Sequence, residues 1–404
     1  MRRVVITGIG VVTSIGCGRH EFCKNLTAGV CGITPVESFD TSALSVHVGG
    51  EIHNFSAERF MPDARAQQLG RAAQFAVAAA RMAIEDAGVA GRQLPRGTGV
   101  VMGTTSGEPG VIESYNDARH SGRVDDLPAR MLRGYPAQQL AAAIAREWQL
   151  AGRCLSIPTA CAAGNYAVAH AADLVREGAA DLMLAGGADS FSRITYTGFA
   201  RLGAIAPQRC QPFDRNRKGM VPAEGAAVLV LEDADHAARR GAAIYAEVCG
   251  FGVGCDAYHM TASDPGGDGA VRAMQMALQE SGFTPQDVDY ICAHGTGTQT
   301  NDRMECVAMR KLFGERAPRI PMSSIKSMLG HSMGAASAIE TAACALALHT
   351  GVLPPTIGYE EPDPECLVDC VPNQARQTDP RVVLNNAYAF GGNNAALCLA
   401  RFQS

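Results

Sequence analysis

Cys161 stands in "SIPTACAAG", where an apolar run carrying Pro158 gives way to an alanine-rich stretch that reads as a helix closing at Gly178. A cysteine at a helix N-terminus lies among unpaired N–H groups and in the positive end of the helix dipole, which favours its thiolate. Cys161 is therefore a candidate nucleophile. The chain has 14 cysteines in all, scattered without zinc-type spacing, and the others read as small buried apolar residues rather than metal ligands or disulfides.

Two histidines share a placement that suits companions of such a nucleophile. His294 follows the strand-like "DYICA" in "AHGTGTQTND", and His331 follows another strand in "SSIKSMLGHSMGAASAIE" and opens an alanine-rich helix. A glycine beside each ring leaves room for a substrate arm. The other eight histidines lack this placement and read as surface or satisfied core residues. Glu340 falls in the apolar "ASAIETAACALAL", where an unpaired carboxylate is costly, so it calls for a cation. Lys326, on the segment just before His331, is the natural one, and the pair can help hold His331. Near the C-terminus, Phe390 precedes Gly391 and Gly392, a turn able to swing a ring as a gate or aim N–H groups at an oxyanion.

Positioning such groups takes a layered α/β framework. Strand-like runs begin at the N-terminus and recur at 97–105, 153–160, 181–189 and 226–233, with helices at 71–88 and after Cys161. The order then repeats: strands at 244–251, 289–295, 319–325, 381–388 and 395–402, and helices at 268–281, 303–313 and 333–349. The boundary falls near Arg240 to Ile244, which divides the chain into 1–243, carrying Cys161, and 244–404, carrying both histidines. Polar stretches at 107–130 and 354–380 read as loops, candidate lids or partner surfaces.

Composition narrows the function classes. The chain has 404 residues, 47% of them hydrophobic and 19% charged, and 44 glycines, as suits a large packed enzyme. A net charge of −5 offers no general attraction to nucleic acid or anionic membranes. No signal peptide or membrane-length apolar run is present, so a cytoplasmic protein is expected.

Taken together, "VVITGIGVVTSIG", "TACAAG", "PFDRNRKGMVPAEGAAVLVLE", "AHGTGTQTND", "KSMLGHSMGAASAIE" and "AFGGNN" resemble the β-ketoacyl-acyl carrier protein synthases, the elongating Cys-His-His type of the thiolase superfamily. The resemblance spans essentially the whole chain. It implies duplicated thiolase-like α/β halves in a five-layer αβαβα arrangement, and a homodimer or close heterodimer. It also implies decarboxylative condensation of a Cys161-bound acyl chain with malonyl-acyl carrier protein, in fatty acid or specialised polyketide or polyene synthesis. His294 and His331 take the enolate, Lys326 and Glu340 support them, and the N–H groups of Cys161 and Phe390 form the oxyanion hole. No metal or dissociable cofactor is implied, since phosphopantetheine arrives on the carrier.

Three departures from the family pattern bear on specificity. Ser106 aligns with an acyl-pocket position that is often apolar. Only Arg65 and Arg71 stand where a denser basic cluster meets the carrier, and Ala389 precedes the gate where glycine is common. A degradative thiolase needs a second cysteine in the last glycine-rich loop, and a Cys-His-Asn synthase needs asparagine at position 331. A chain-length-factor partner subunit typically lacks the nucleophile. In "TGIGVVTSIG", Gly8 and Gly10 lack the third glycine of a dinucleotide-binding turn.

Overall fold

Both faces of β1 (Val4–Thr13) are covered, so all ten of its residues are buried and it reads as an unbroken apolar run. The computed structural model describes residues 2–128 and 133–403. After β1 come β2 (Gly99–Gly103), β3 (Cys154–Ile157), β4 (Leu182–Asp189) and β5 (Gly225–Asp233). The second half supplies β6 (Ala246–Cys255), β7 (Tyr290–Cys292), β8 (Met322–Ser323), β9 (Val382–Tyr388) and β10 (Asn393–Ala400).

The two sets of strands are wired alike. The first lies in the order β3-β2-β4-β5-β1 and the second in the order β8-β7-β9-β10-β6, the same permutation of sequence order. In each set the first three strands of that order run parallel and the remaining pairings are antiparallel. The sets meet where Val4–Ile6 of β1 pair antiparallel with Ala246–Val248 of β6.

Helices fill three layers around these strands. In chain order the main ones are α1 (Arg71–Asp86), α2 (Pro109–His120), α3 (Gln139–Glu147), α4 (Ala163–Arg176), α5 (Asp268–Ser281), α6 (Gln299–Phe313), α7 (Lys326–Leu329) and α8 (Ala336–Thr350). α1 and α3 cover the outer face of the first set, α5 and α6 that of the second, and α4 with α8 lie between the sets. That order is α-β-α-β-α. α8 has 13 buried residues among its 15, the signature of a helix enclosed on every side.

Glycines set the closeness of these layers. A Cβ on Gly10 would stand 1.9 Å from the carbonyl oxygen of Ala79, so α1 rests directly on β1. Gly8 and Gly10 thus lie inside a strand and serve helix packing, which removes the dinucleotide-turn reading. Between the sets, a Cβ on Gly164 would stand 2.4 Å from the Ala338 nitrogen, so α4 and α8 touch backbone to backbone.

One expectation needs correction. The stretch 107–130, expected to be a loop, contains α2, which buries only Pro109, Val111 and Ala118 and so shows no strong apolar period. Its residues 129–130 lie outside the described residues. The stretch 354–380 is largely irregular and pinned to the body, with Asp214 accepting the N–H groups of Glu360 and Glu361 at 2.6 and 2.7 Å. Among the described residues no helix is long and apolar enough to cross a membrane.

Candidate active site

Three turns converge between the two strand sets. After β3 the chain enters a single 3₁₀ turn, Ala160–Ala162, with Ala160 at a φ of 51°, and Cys161 leads into α4. After α7 the chain turns through Gly330 and His331 into a second 3₁₀ turn, Met333–Ala335, with Met333 at a φ of 52°, before α8. Such left-handed angles are uncommon for residues with a Cβ and mark turns held by their surroundings. His294 follows the end of β7 after one residue, Ala293.

The Sγ of Cys161 lies 3.0 Å from Nε2 of His331. The rings of His294 and His331 are 5.5 Å apart, edge to face. The Nζ of Lys326 is 3.4 Å from Nδ1 of His294 and contacts Oε1 of Glu340. An ammonium has only donors, so Nδ1 of His294 accepts and its proton sits on Nε2. His294 therefore offers a fixed N–H donor. Lys326 and Glu340 are each 1% exposed, and their pairing compensates charges that would be costly alone.

Burial sets the electrostatics. It pushes both histidines well below the usual imidazole range, with the Lys326 charge adding to the effect, so both rings are neutral. It pushes the Cys161 thiol up to about 12, against the pull of Lys326. This corrects the expectation of a stabilised thiolate: desolvation of an enclosed sulfur outweighs the helix-terminus effect. The resting group is a thiol beside a neutral imidazole that can take its proton.

Cys161, His294 and His331 line one cavity of about 550 Å³ together with Phe199, Tyr388 and Phe390. The Phe390 ring, 39% exposed, stands at its rim with its centroid 5.7 Å from that of Phe199. Gly391 and Gly392 take φ of 80° and 76°, which a side chain would strain, and the Gly391 N–H donates to the Met260 carbonyl at 2.8 Å. Ala389 is extended, with a φ of −116°, and packs in the same apolar cluster as Cys161.

Three other candidates lie elsewhere. Ser106 is exposed on the surface of the chain and is not part of the cavity wall; its N–H donates to Asp189 at 3.2 Å. Arg71 is committed to Glu224 through two contacts of 2.8 and 2.6 Å and to the Ile52 carbonyl, so its charge is not free for a docking partner. Arg65 is half-buried and reaches the Ala143 carbonyl at 3.4 Å.

Two positioning carboxylates escape the reading of the sequence. Glu305, on α6, accepts the N–H groups of His294 and Gly295 at 2.9 and 2.8 Å, and burial pushes it up to about 8. Asp189, at the end of β4, accepts from Gly334 at 2.7 Å, from Thr105 at 2.8 Å and from the Thr104 hydroxyl at 2.8 Å. It ties the turn after His331 to the segment after β2. Glu305 sits among Arg303, Arg310 and Lys311, so it reads as one more charge on a solvated helix face. Asp189 reads as an ordinary strand end.

Comparison with known proteins bears on this arrangement. Residues 1–237 match the family described as Beta-ketoacyl synthase, N-terminal domain, and residues 245–360 match Beta-ketoacyl synthase, C-terminal domain. The 3-oxoacyl-[acyl-carrier-protein] synthase 2 of Coxiella burnetii (strain RSA 493 / Nine Mile phase I) is 37% identical, over 99% of each chain. The oxytetracycline polyketide putative beta-ketoacyl synthase 1 of Streptomyces rimosus is 40% identical, over 98% of this chain and 97% of that protein. Among solved structures, the ishigamide ketosynthase/chain length factor superposes with a TM-score of 0.95 at 42% identity, over 100% of both chains.

Proposed function

The chain belongs to the β-ketoacyl synthase family, and on that footing we propose that it condenses a Cys161-bound acyl chain with malonyl-acyl carrier protein, losing CO2 and giving a 3-oxoacyl-acyl carrier protein. The observation that carries this reading is the 3.0 Å approach of Cys161 Sγ to His331 Nε2, with the Nε2–H of His294 beside them.

In the first half-reaction His331 takes the thiol proton as Cys161 attacks the carbonyl of an acyl thioester. The N–H groups of Cys161 and Phe390 receive the oxyanion. The carbon–sulfur bond to the pantetheine arm breaks, and its sulfur leaves with the proton. In the second, the bond between the malonyl α-carbon and its carboxylate breaks, CO2 departs, and the electron pair becomes an enolate. His294 donates to the enolate oxygen through Nε2–H, with His331 alongside. The enolate carbon attacks the acyl-Cys161 carbonyl, the carbon–sulfur bond breaks, and Cys161 regains a proton. The exchange takes up one proton and lengthens the chain by a two-carbon unit.

Lys326 and Glu340 act behind this, as positioning residues that hold the tautomer of His294 and compensate each other's charge. Loss of CO2 drives the reaction, so no metal or dissociable cofactor is required, and phosphopantetheine comes with the carrier. Three potential ligand atoms, on Cys161, His294 and His331, do lie within 4.8 Å of one another. The Lys326 ammonium next to His294 already supplies positive charge there and opposes a second cation.

The carrier is the first partner this reading requires. The second is another chain of the same fold, either a copy or a related subunit: among the described residues β3 pairs along one edge with β2 and leaves the other unpaired, with Cys154 and Leu155 exposed. Relatives of fatty acid and polyketide service share the chain's full length, so condensation is the step that carries over, with chain selection specialised around it. A subunit that only shapes a neighbour's tunnel has no use for a buried thiol held against an imidazole.

The test is incubation with acyl-carrier and malonyl-carrier protein, read by intact mass. An acyl adduct on the wild type but not on Cys161→Ala, followed by a carrier-bound 3-oxoacyl product, is expected. Malonyl decarboxylation with neither adduct nor product, across a range of carriers and chain lengths, would rule the reading out.

A further inference from the structure

The run from Arg209 to Lys218 carries four cations, of which Arg217 and Lys218 line the cavity, and three of the four are already matched. Arg209 pairs with Glu360 at 2.8 Å and Arg215 with Glu361 at 2.7 Å. Arg217 is buried between Asp302, at 3.6 Å, and Asp363. Lys218 pairs with no carboxylate among the described residues. It lines the cavity that holds Cys161 and is also exposed, so it stands at the mouth. Its backbone is held there, since the N–H of the next residue, Gly219, donates to the Gly297 carbonyl at 3.0 Å.

The cavity wall strengthens the contrast. No aspartate or glutamate lines it among the described residues, although the whole chain carries a net charge of −5. With Arg217 neutralised from behind, the mouth presents one unmatched positive charge. A ligand that enters sulfur-first and carries an anion at its other end meets that charge only when the sulfur is deep inside.

We propose that Lys218 is a specificity-determining residue that binds the phosphate at the far end of a pantetheine thioester whose sulfur end reaches Cys161. The proposal rests on the condensation reading and adds to it the group that distinguishes phosphopantetheine from shorter thioesters. An exposed ammonium is worth little in affinity but discriminates by sign, so the effect is read as a ratio between substrates.

The experiment compares kcat/KM for acyl transfer to Cys161 from the same acyl group on phosphopantetheine, on pantetheine, on coenzyme A and on the carrier. Pantetheine, which has no phosphate, is the reference in every variant. The wild type is expected to favour phosphopantetheine by about three- to fivefold. The preference should vanish in Lys218→Met, invert in Lys218→Glu and persist in Lys218→Arg, with coenzyme A and carrier thioesters following the same order. A preference that survives Lys218→Glu overturns the proposal. So does a loss shared equally by pantetheine, which reports damage to the fold, or one confined to the carrier, which places Lys218 on the carrier's protein surface. A wild type that takes no acyl group from any thioester instead sinks the condensation reading itself.

Discussion

The Sγ of Cys161 and Nε2 of His331 stand 3.0 Å apart across 170 residues of chain. The contact depends on α4 and α8 meeting without side chains between them, since each helix continues the turn that carries one of the two groups.

Gly164→Ala should therefore injure stability and chemistry together. The added Cβ would lie 2.4 Å from a backbone nitrogen and 2.8 Å from the Ala338 Cβ, with no flexible tip to yield. A loss of about 1–3 kcal/mol is expected from overpacking, with slower acylation of Cys161 in the fraction that folds. Denaturant melts and the acylation rate check both; an unchanged rate would show that the 3.0 Å contact survives separation of the helices.

The raised thiol makes a prediction about pH. A thiol titrating at about 12 stays protonated through neutrality, and its thiolate fraction grows about tenfold with each unit below that value. Alkylation of Cys161 by iodoacetamide should climb by that factor per unit between pH 7 and 10 without levelling. A plateau near neutrality would mean that His331 and the helix terminus overcome burial.

Lys326 and Glu340 should cost more singly than together. Lys326→Met leaves a buried carboxylate unpaired, and Glu340→Leu leaves a buried ammonium, each worth about 3–5 kcal/mol of destabilisation. The double variant should recover a large part of that loss, because an apolar pair needs no compensation. Chemical denaturation of the four proteins measures the coupling; additive losses would remove the ion pair from the account.

Arg71 separates structure from docking. Its partner Glu224 is 3% exposed, and Arg71→Ala should lower stability by about 2 kcal/mol, less than for an enclosed pair because the guanidinium reaches water. KM for carrier-bound substrate should stay unchanged. A raised KM at unaltered stability would return Arg71 to the docking surface.

The sequence makes the fold legible to the level of its repeat, because buried strands read as apolar runs and α8 as an uninterrupted apolar helix. Cys161, His294 and His331 stand out through their placement at strand ends, and Glu340 through its isolation among apolar residues. What stayed hidden depends on neighbours far away in sequence. Glu305 looks solvated until α6 is laid against β7, and the charge of Arg71 looks free until Glu224 is brought beneath it. The Cys161 thiol illustrates the same limit: local position points to a thiolate, while enclosure by the second half decides for the thiol.

Cys161 precedes His294, His331 and the turn bearing Phe390 in the chain, and all three belong to the second half of the fold. A ribosome-bound chain therefore displays its nucleophile long before the groups that activate it exist. Until the second half docks, the Cys161 thiol has no imidazole beside it to take its proton.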